Sequence, residues 1–166
     1  MNEPAPLLQR VGEALRADNA EAARRLLATD EARNPTQPFA YFFACLLLGM
    51  HAEPVEHDPE SLKLLFREGS QLELNRLTEV AIRMAAAPRA EQPRIEMGSI
   101  LAAGGEAHWA EQGMLPGFHR DASGVFQRVL SGIWFMLGRR EKARQAAQSA
   151  CERAPDIAEF HIRCYV

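Results

Sequence analysis

The stretch GVFQRVLSGIWFMLGRREKARQAAQSACERAPDI, residues 124–157, decides the fold class. Asp121 or Ser123 stands where a cap is needed for a helix running to Leu137. Gly138 follows, at a turn that needs a permissive backbone. A second helix is expected from about Arg140 to Arg153, ended by Pro155. Small residues at Ser131, Ala143 and Ala150 let two antiparallel helices approach closely, and Trp134 fills the space beside them. A last helix from Asp156 reaches the C-terminus, carrying Ile157, Phe160, Ile162, Cys164, Tyr165 and Val166.

The same helical period recurs toward the N-terminus. Leu7, Leu8, Val11, Ala14 and Leu15 share one side of a helix over about Pro6–Ala17. Asp18-Asn19-Ala20-Glu21 reads as a turn and capping box, with Asp18 as the cap, and opens a helix to about Thr29. After the breakers Asn34-Pro35, residues 37–50 are apolar nearly all round, a pattern that belongs at the centre of a core or against a partner. Asp58-Pro59-Glu60 predicts a helix start, with Gly69 ending that helix. A further helix is expected over 72–87, stopped by Pro88. Between Arg89 and Ser123, Gly and Pro punctuate short helical pieces around Ile95–Ala103 and Glu106–Gln112. This segment is either a connector or the carrier of function.

No stretch combines alternation with Val/Ile/Thr richness, so strands are not expected. The expected fold is all-α. It is one domain over 1–166, with about eight to ten helices in a compact right-handed array of hairpins. Its parts are a hairpin plus buried helix (1–50), an irregular helical insert (51–123), and a hairpin plus C-terminal helix (124–166).

The net charge of −3 argues against nucleic-acid binding through a general positive field. The basic residues are 17 Arg and two Lys, Lys63 and Lys142, an imbalance that accompanies a high Ala content and reads as codon bias. Cys45, Cys151 and Cys164 form no CxxC and sit among apolar neighbours, so free thiols and a reducing compartment are expected. The start Met1-Asn2-Glu3-Pro4 does not read as a signal peptide, and the most apolar run, 39–50, is too short to cross a bilayer. These features together predict a cytoplasmic protein of bacterial style without membrane insertion.

Residues 124–157 resemble one tetratricopeptide (TPR) unit. Leu130, Ser131 and Trp134 stand at the family's apolar, small and aromatic positions of the first helix. Gly138, Ala143, Ala147, Ala150 and Pro155 follow at the family's spacing. Gln127 and Ala147 occupy positions where the family places aromatics. A fainter echo lies at Ala23 and Pro35, which are separated as Ala143 and Pro155 are. The resemblance implies a concave face lined by first helices that binds a protein or peptide. Here that face would comprise Val125, Arg128, Val129, Gly132, Phe135 and Met136. Gly132 stands where the peptide-clamp members carry Asn, so capture of a terminal carboxylate is not implied. The face is either an apolar partner groove anchored by Arg128 or a surface covered by another helix of the same chain.

The expected function is therefore a non-enzymatic interaction scaffold, an adaptor or a dedicated chaperone of a bacterial complex or secretion system. A homodimer through the last helix, by Phe160, Cys164 and Tyr165, is an alternative. No cofactor or metal motif is present: His51 and His57 flank an acidic loop without HExxH or paired ExxH helices. The other alternative is a small helical enzyme using 98–124, in which at least two of His108, Glu111, His119 and Asp121 would converge. Ser123, His119 and Asp121 are a triad in residue type only, with no GxSxG elbow, and no phosphate loop follows the glycines.

Overall fold

The computed structural model describes residues 5–33, 36–118, 120 and 123–156, with Asp30 and Arg33 described by their backbone alone. All regular structure among the described residues is helical. The α-helices are α1 (Leu7–Arg16), α2 (Ala20–Leu27), α3 (Pro38–Leu47), α4 (Leu74–Ala86), α5 (Glu91–Ala103), α6 (Ala107–Phe118), α7 (Val125–Met136) and α8 (Arg140–Arg153). No helix among the described residues is long and apolar enough to cross a membrane.

Helices adjacent in sequence pack as pairs: α1 on α2, α5 on α6, α7 on α8. The α3 stretch, apolar on every side, is the buried centre, with Phe39, Ala40, Phe42, Phe43, Ala44, Cys45 and Leu47 removed from solvent. Helix α6 touches α1, α3, α5 and α7, and so joins the first and last hairpins. At the shared core Trp109 of α6 is fully buried. Its ring stands edge-on to Phe66 at 6.1 Å and lies 6.5 Å from Phe43, an arrangement the ring quadrupoles favour.

Three local expectations are corrected. Asp18 is not the cap of α2. Asn19 is, its side chain accepting from the Ala22 N–H at 3.0 Å. Asp18 instead turns the chain at φ +59°, a conformation Asp tolerates better than most residues. The Asp58-Pro59-Glu60 start opens a 3-10 helix, Pro59–Leu64, and the Asp58 side chain makes no cap bond. Cys45 is free and buried, and burial pushes its thiol up against an opposing hydrogen bond from Tyr41. Cys151, however, is disulfide-bonded. The expectation of a reducing compartment rested on three free thiols and loses that support.

The two short pieces expected in the Gly-rich middle are fuller helices, α5 and α6. Their glycines are places of close packing rather than breaks. A Cβ on Gly98 would lie 2.5 Å from Met114, and one on Gly117 would lie 2.3 Å from the Phe126 ring. Pro93 falls in the first turn of α5, where a missing N–H costs nothing. The irregular part of the middle lies ahead of α4. It is held by Glu106, which is buried and accepts from the Arg67 N–H at 2.7 Å and from the Ser70 hydroxyl.

Helix α1 sits flush on this irregular segment at Gly12. A Cβ there would meet the Leu65 carbonyl oxygen at 2.3 Å, and that oxygen belongs to backbone. Helix propensity alone favours Gly12→Ala by about 1 kcal/mol. We expect the opposite sign, a net loss of about 1–3 kcal/mol by urea denaturation, because overpacking forces α1 off the Leu65 backbone. A stabilised Gly12→Ala protein would show that this contact yields freely.

Candidate functional site: the exposed α7 face and the cleft beside it

The hairpin expected at 124–157 is built by α7 and α8. Gly138 turns between them at φ +75°. Gly124, at φ +82°, precedes α7, and the Ser123 hydroxyl accepts from the Val125 N–H at 3.3 Å. Leu130, Ser131, Ile133 and Trp134 form the buried side of α7, against Ala143, Ala146, Ala147 and Ala150 of α8.

The other side of α7 carries the predicted partner face. Val125, Arg128, Val129 and Gly132 are half-buried. Phe135 is 58% and Met136 53% exposed, and they are the exposed large hydrophobics among the described residues. The face is thus open at its C-terminal end and partly sheltered toward its start. The predicted dimer contact of Phe160, Cys164 and Tyr165 lies outside the described residues.

The hairpin that carries this face is basic in composition. Residues 124–156 hold six basic side chains (Arg128, Arg139, Arg140, Lys142, Arg144, Arg153) against three acidic ones (Glu141, Glu152, Asp156), in a chain whose net charge is −3. Glu141 is drawn to Arg144, whose hydrogen bond, with one from Gln145, holds its carboxyl below the usual range. Arg139, Arg140 and Lys142 follow Phe135 and Met136 directly around the turn. The Lys142 ammonium lies 5.6 Å from the centre of the Trp134 ring.

Behind that turn opens a polar cleft of about 300 Å³, lined by residues including Asp18, His108, Glu111, Gln112, Arg139 and Lys142. Arg139 spans it, one guanidinium nitrogen donating to Glu111 Oε1 and another to Asp18 Oδ1. The Trp134 indole N–H donates to the same Glu111 oxygen at 2.8 Å. Glu111 is 6% exposed, so its side-chain oxygens are removed from water and depend on those donors. His108 stands one helical turn before Glu111, its Nδ1 3.9 Å from Asp18 Oδ1. On the far wall Gln112 accepts from Arg24. Asp18, His108 and Glu111 each offer a ligand atom, and these atoms lie within 4.8 Å of one another.

Of the residues named for a catalytic pocket, His108 and Glu111 do converge, while His119 and Asp121 lie outside the described residues. The loop histidines do not form a cluster with each other. His51 pairs with Glu53 at 3.1 Å in open solvent, and the His57 ring lies against Phe39 at 5.7 Å. Sequence reasoning gives Asp18 only the role of a helix cap and does not mark Arg139, because the two meet only when the first and last hairpins pack on α6. No family model, curated protein or solved structure matches the chain.

Proposed function

We propose that the protein is a non-enzymatic interaction scaffold, an adaptor or dedicated chaperone, that docks an acidic amphipathic segment of a protein partner on the open face of α7. One observation carries the reading: Phe135 and Met136 stand side by side in solvent at the end of a half-buried apolar stripe. Large apolar side chains exposed together mark interaction sites more often than those scattered singly. Burying what remains exposed of the two contributes on the order of 2 kcal/mol, enough for an anchor but not for a whole interface. The excess of basic over acidic residues in the hairpin favours a partner with acidic flanks, which it would steer and orient more than tighten. The TPR-like residues of the hairpin support the same class of function.

The test is capture by the tagged protein from its native lysate, with wild type and Phe135→Glu/Met136→Glu side by side. We expect a stoichiometric protein partner bound to wild type, weakened by added salt, and lost in the variant while its far-UV circular dichroism is unchanged. A partner retained by the folded variant overturns the face. Recovery of only the chain itself overturns the partner reading in favour of the homodimer.

The small-enzyme reading is favoured by a different observation, the convergence of His108 and Glu111 with Asp18 in the cleft. Among the described residues lining it there is no Ser, Thr or Cys, so chemistry there would fall to an activated water or to a carboxylate, imidazole or amine nucleophile.

A further inference from the structure

We propose that Asp18, His108 and Glu111 form a binding site for a first-row divalent transition metal, with zinc as the type ion. The donor set is one imidazole and two carboxylates, which suits zinc and its neighbours better than calcium or magnesium, whose ligands are oxygens. His108 and Glu111 are three residues apart on α6 and so project from one face of a rigid helix. Asp18 reaches them from the α1–α2 turn.

The ligand atoms lie within 4.8 Å of one another. Bonds of about 2.0–2.2 Å place ligand atoms on a common ion roughly 3–4 Å apart, so the set must contract by about an ångström. Asp18 can supply that movement, since its side chain is 64% exposed, while Glu111 is held. Arg139 donates to a single oxygen of each carboxylate, Oδ1 of Asp18 and Oε1 of Glu111. Arg139 orients both carboxylates as an outer-shell partner does, and Asp18 Oδ1, the oxygen that faces His108 at 3.9 Å, would be shared between Arg139 and the ion. The cleft's volume of about 300 Å³ leaves room to complete the coordination sphere with water.

The opposing charge comes from Arg139 and Lys142. Arg139 neutralises part of the carboxylate charge, and Lys142 lies on the cleft wall but exposed and able to withdraw. These cations hold the affinity below that of a dedicated structural zinc site, and they keep the buried Glu111 compensated when no ion is bound.

The test uses the full chain. Zn2+ is titrated by calorimetry in a non-coordinating buffer, and Co2+ by visible absorption. We expect one equivalent of either ion per chain, with weak ligand-field bands and no sulfur-to-cobalt charge transfer. His108→Ala and Asp18→Asn should each weaken binding at least about 10-fold, the lower end of what loss of even an outer-shell partner costs. Asn tolerates the positive φ at position 18, so that variant keeps the turn. His51→Ala, which removes the loop His–Glu pair, should leave binding unchanged. The proposal is overturned if no single-equivalent binding appears or if His108→Ala binds as wild type does. It is equally overturned if His51→Ala abolishes binding, or if a thiolate charge-transfer band places the ion on a cysteine.

Discussion

Trp109→Ala is expected to lower the unfolding free energy by about 3–5 kcal/mol, the range for deleting a large aromatic from a core that cannot collapse around the void. Trp109 is completely buried on α6, where the first and last hairpins meet. Its removal takes the edge-on partner from Phe66 and a wall from Phe43. It also removes the indole N–H that donates to the Leu65 carbonyl at 3.3 Å, although that oxygen keeps a second donor, Arg16, at 3.3 Å. The cost therefore comes mostly from packing. Trp109→Phe, which preserves most of the ring volume, should recover more than half of the loss. Urea denaturation of the two variants with one slope decides this. A Trp109→Ala protein within about 1 kcal/mol of wild type would mean that the α3–α6 core repacks, against the behaviour of close-packed interiors.

Glu111→Ala is expected to cost about 2–4 kcal/mol, for a different reason. The substitution leaves the Trp134 indole N–H buried without its acceptor and strips Arg139 of its buried partner. Removing one member of a buried ion pair costs about 3–5 kcal/mol. The value here is lower because Arg139 is 22% exposed and keeps Asp18. A double-mutant cycle with Arg139→Ala separates the pair from its surroundings. We expect a coupling of about 1–3 kcal/mol, the range for groups in direct contact within one network. Additive losses would show that the two residues hold their elements independently and that the cleft is no clasp between the hairpins. The cycle is run without added metal, so it reads the clasp and not the ion.

The clasp and the open α7 face sit on two sides of one turn. Trp134 faces inward, with its N–H on Glu111 and its ring edge-on to Phe118 at 5.7 Å. Phe135 and Met136, the next two residues, face solvent. Arg139 belongs to the clasp, while Arg140 is exposed. A partner docking on α7 would therefore press on a turn whose position is set by Glu111 and Asp18.

The period of the apolar residues and the turn chemistry determined by themselves that this chain is all-α. They also placed α1, α3, α4, α7 and α8 to within a few residues, because apolar residues at 3.6 spacing bury only as helices. The α7–α8 hairpin was legible for the same reason, together with Gly138 and the small residues Ser131, Ala143 and Ala150 that allow close approach. The sequence could not distinguish a glycine that breaks a helix from one that lets a neighbour in. Gly98, Gly113 and Gly117 therefore read as punctuation, and only the presence of Met114, Met97 and Leu47, and Phe126 against them shows why α5 and α6 run on. Asp18 read as a helix cap because local hydrogen bonding is all a sequence window contains. Its partner Arg139 is 121 residues away, and no local pattern encodes that meeting. His108 and Glu111 carried one signal that was available, the i, i+3 spacing on a helix, but it had no third ligand until α1 packed on α6. Tertiary structure alone decided the cleft, since long-range pairs of charged side chains are set by how helices pack and not by the period within any one of them.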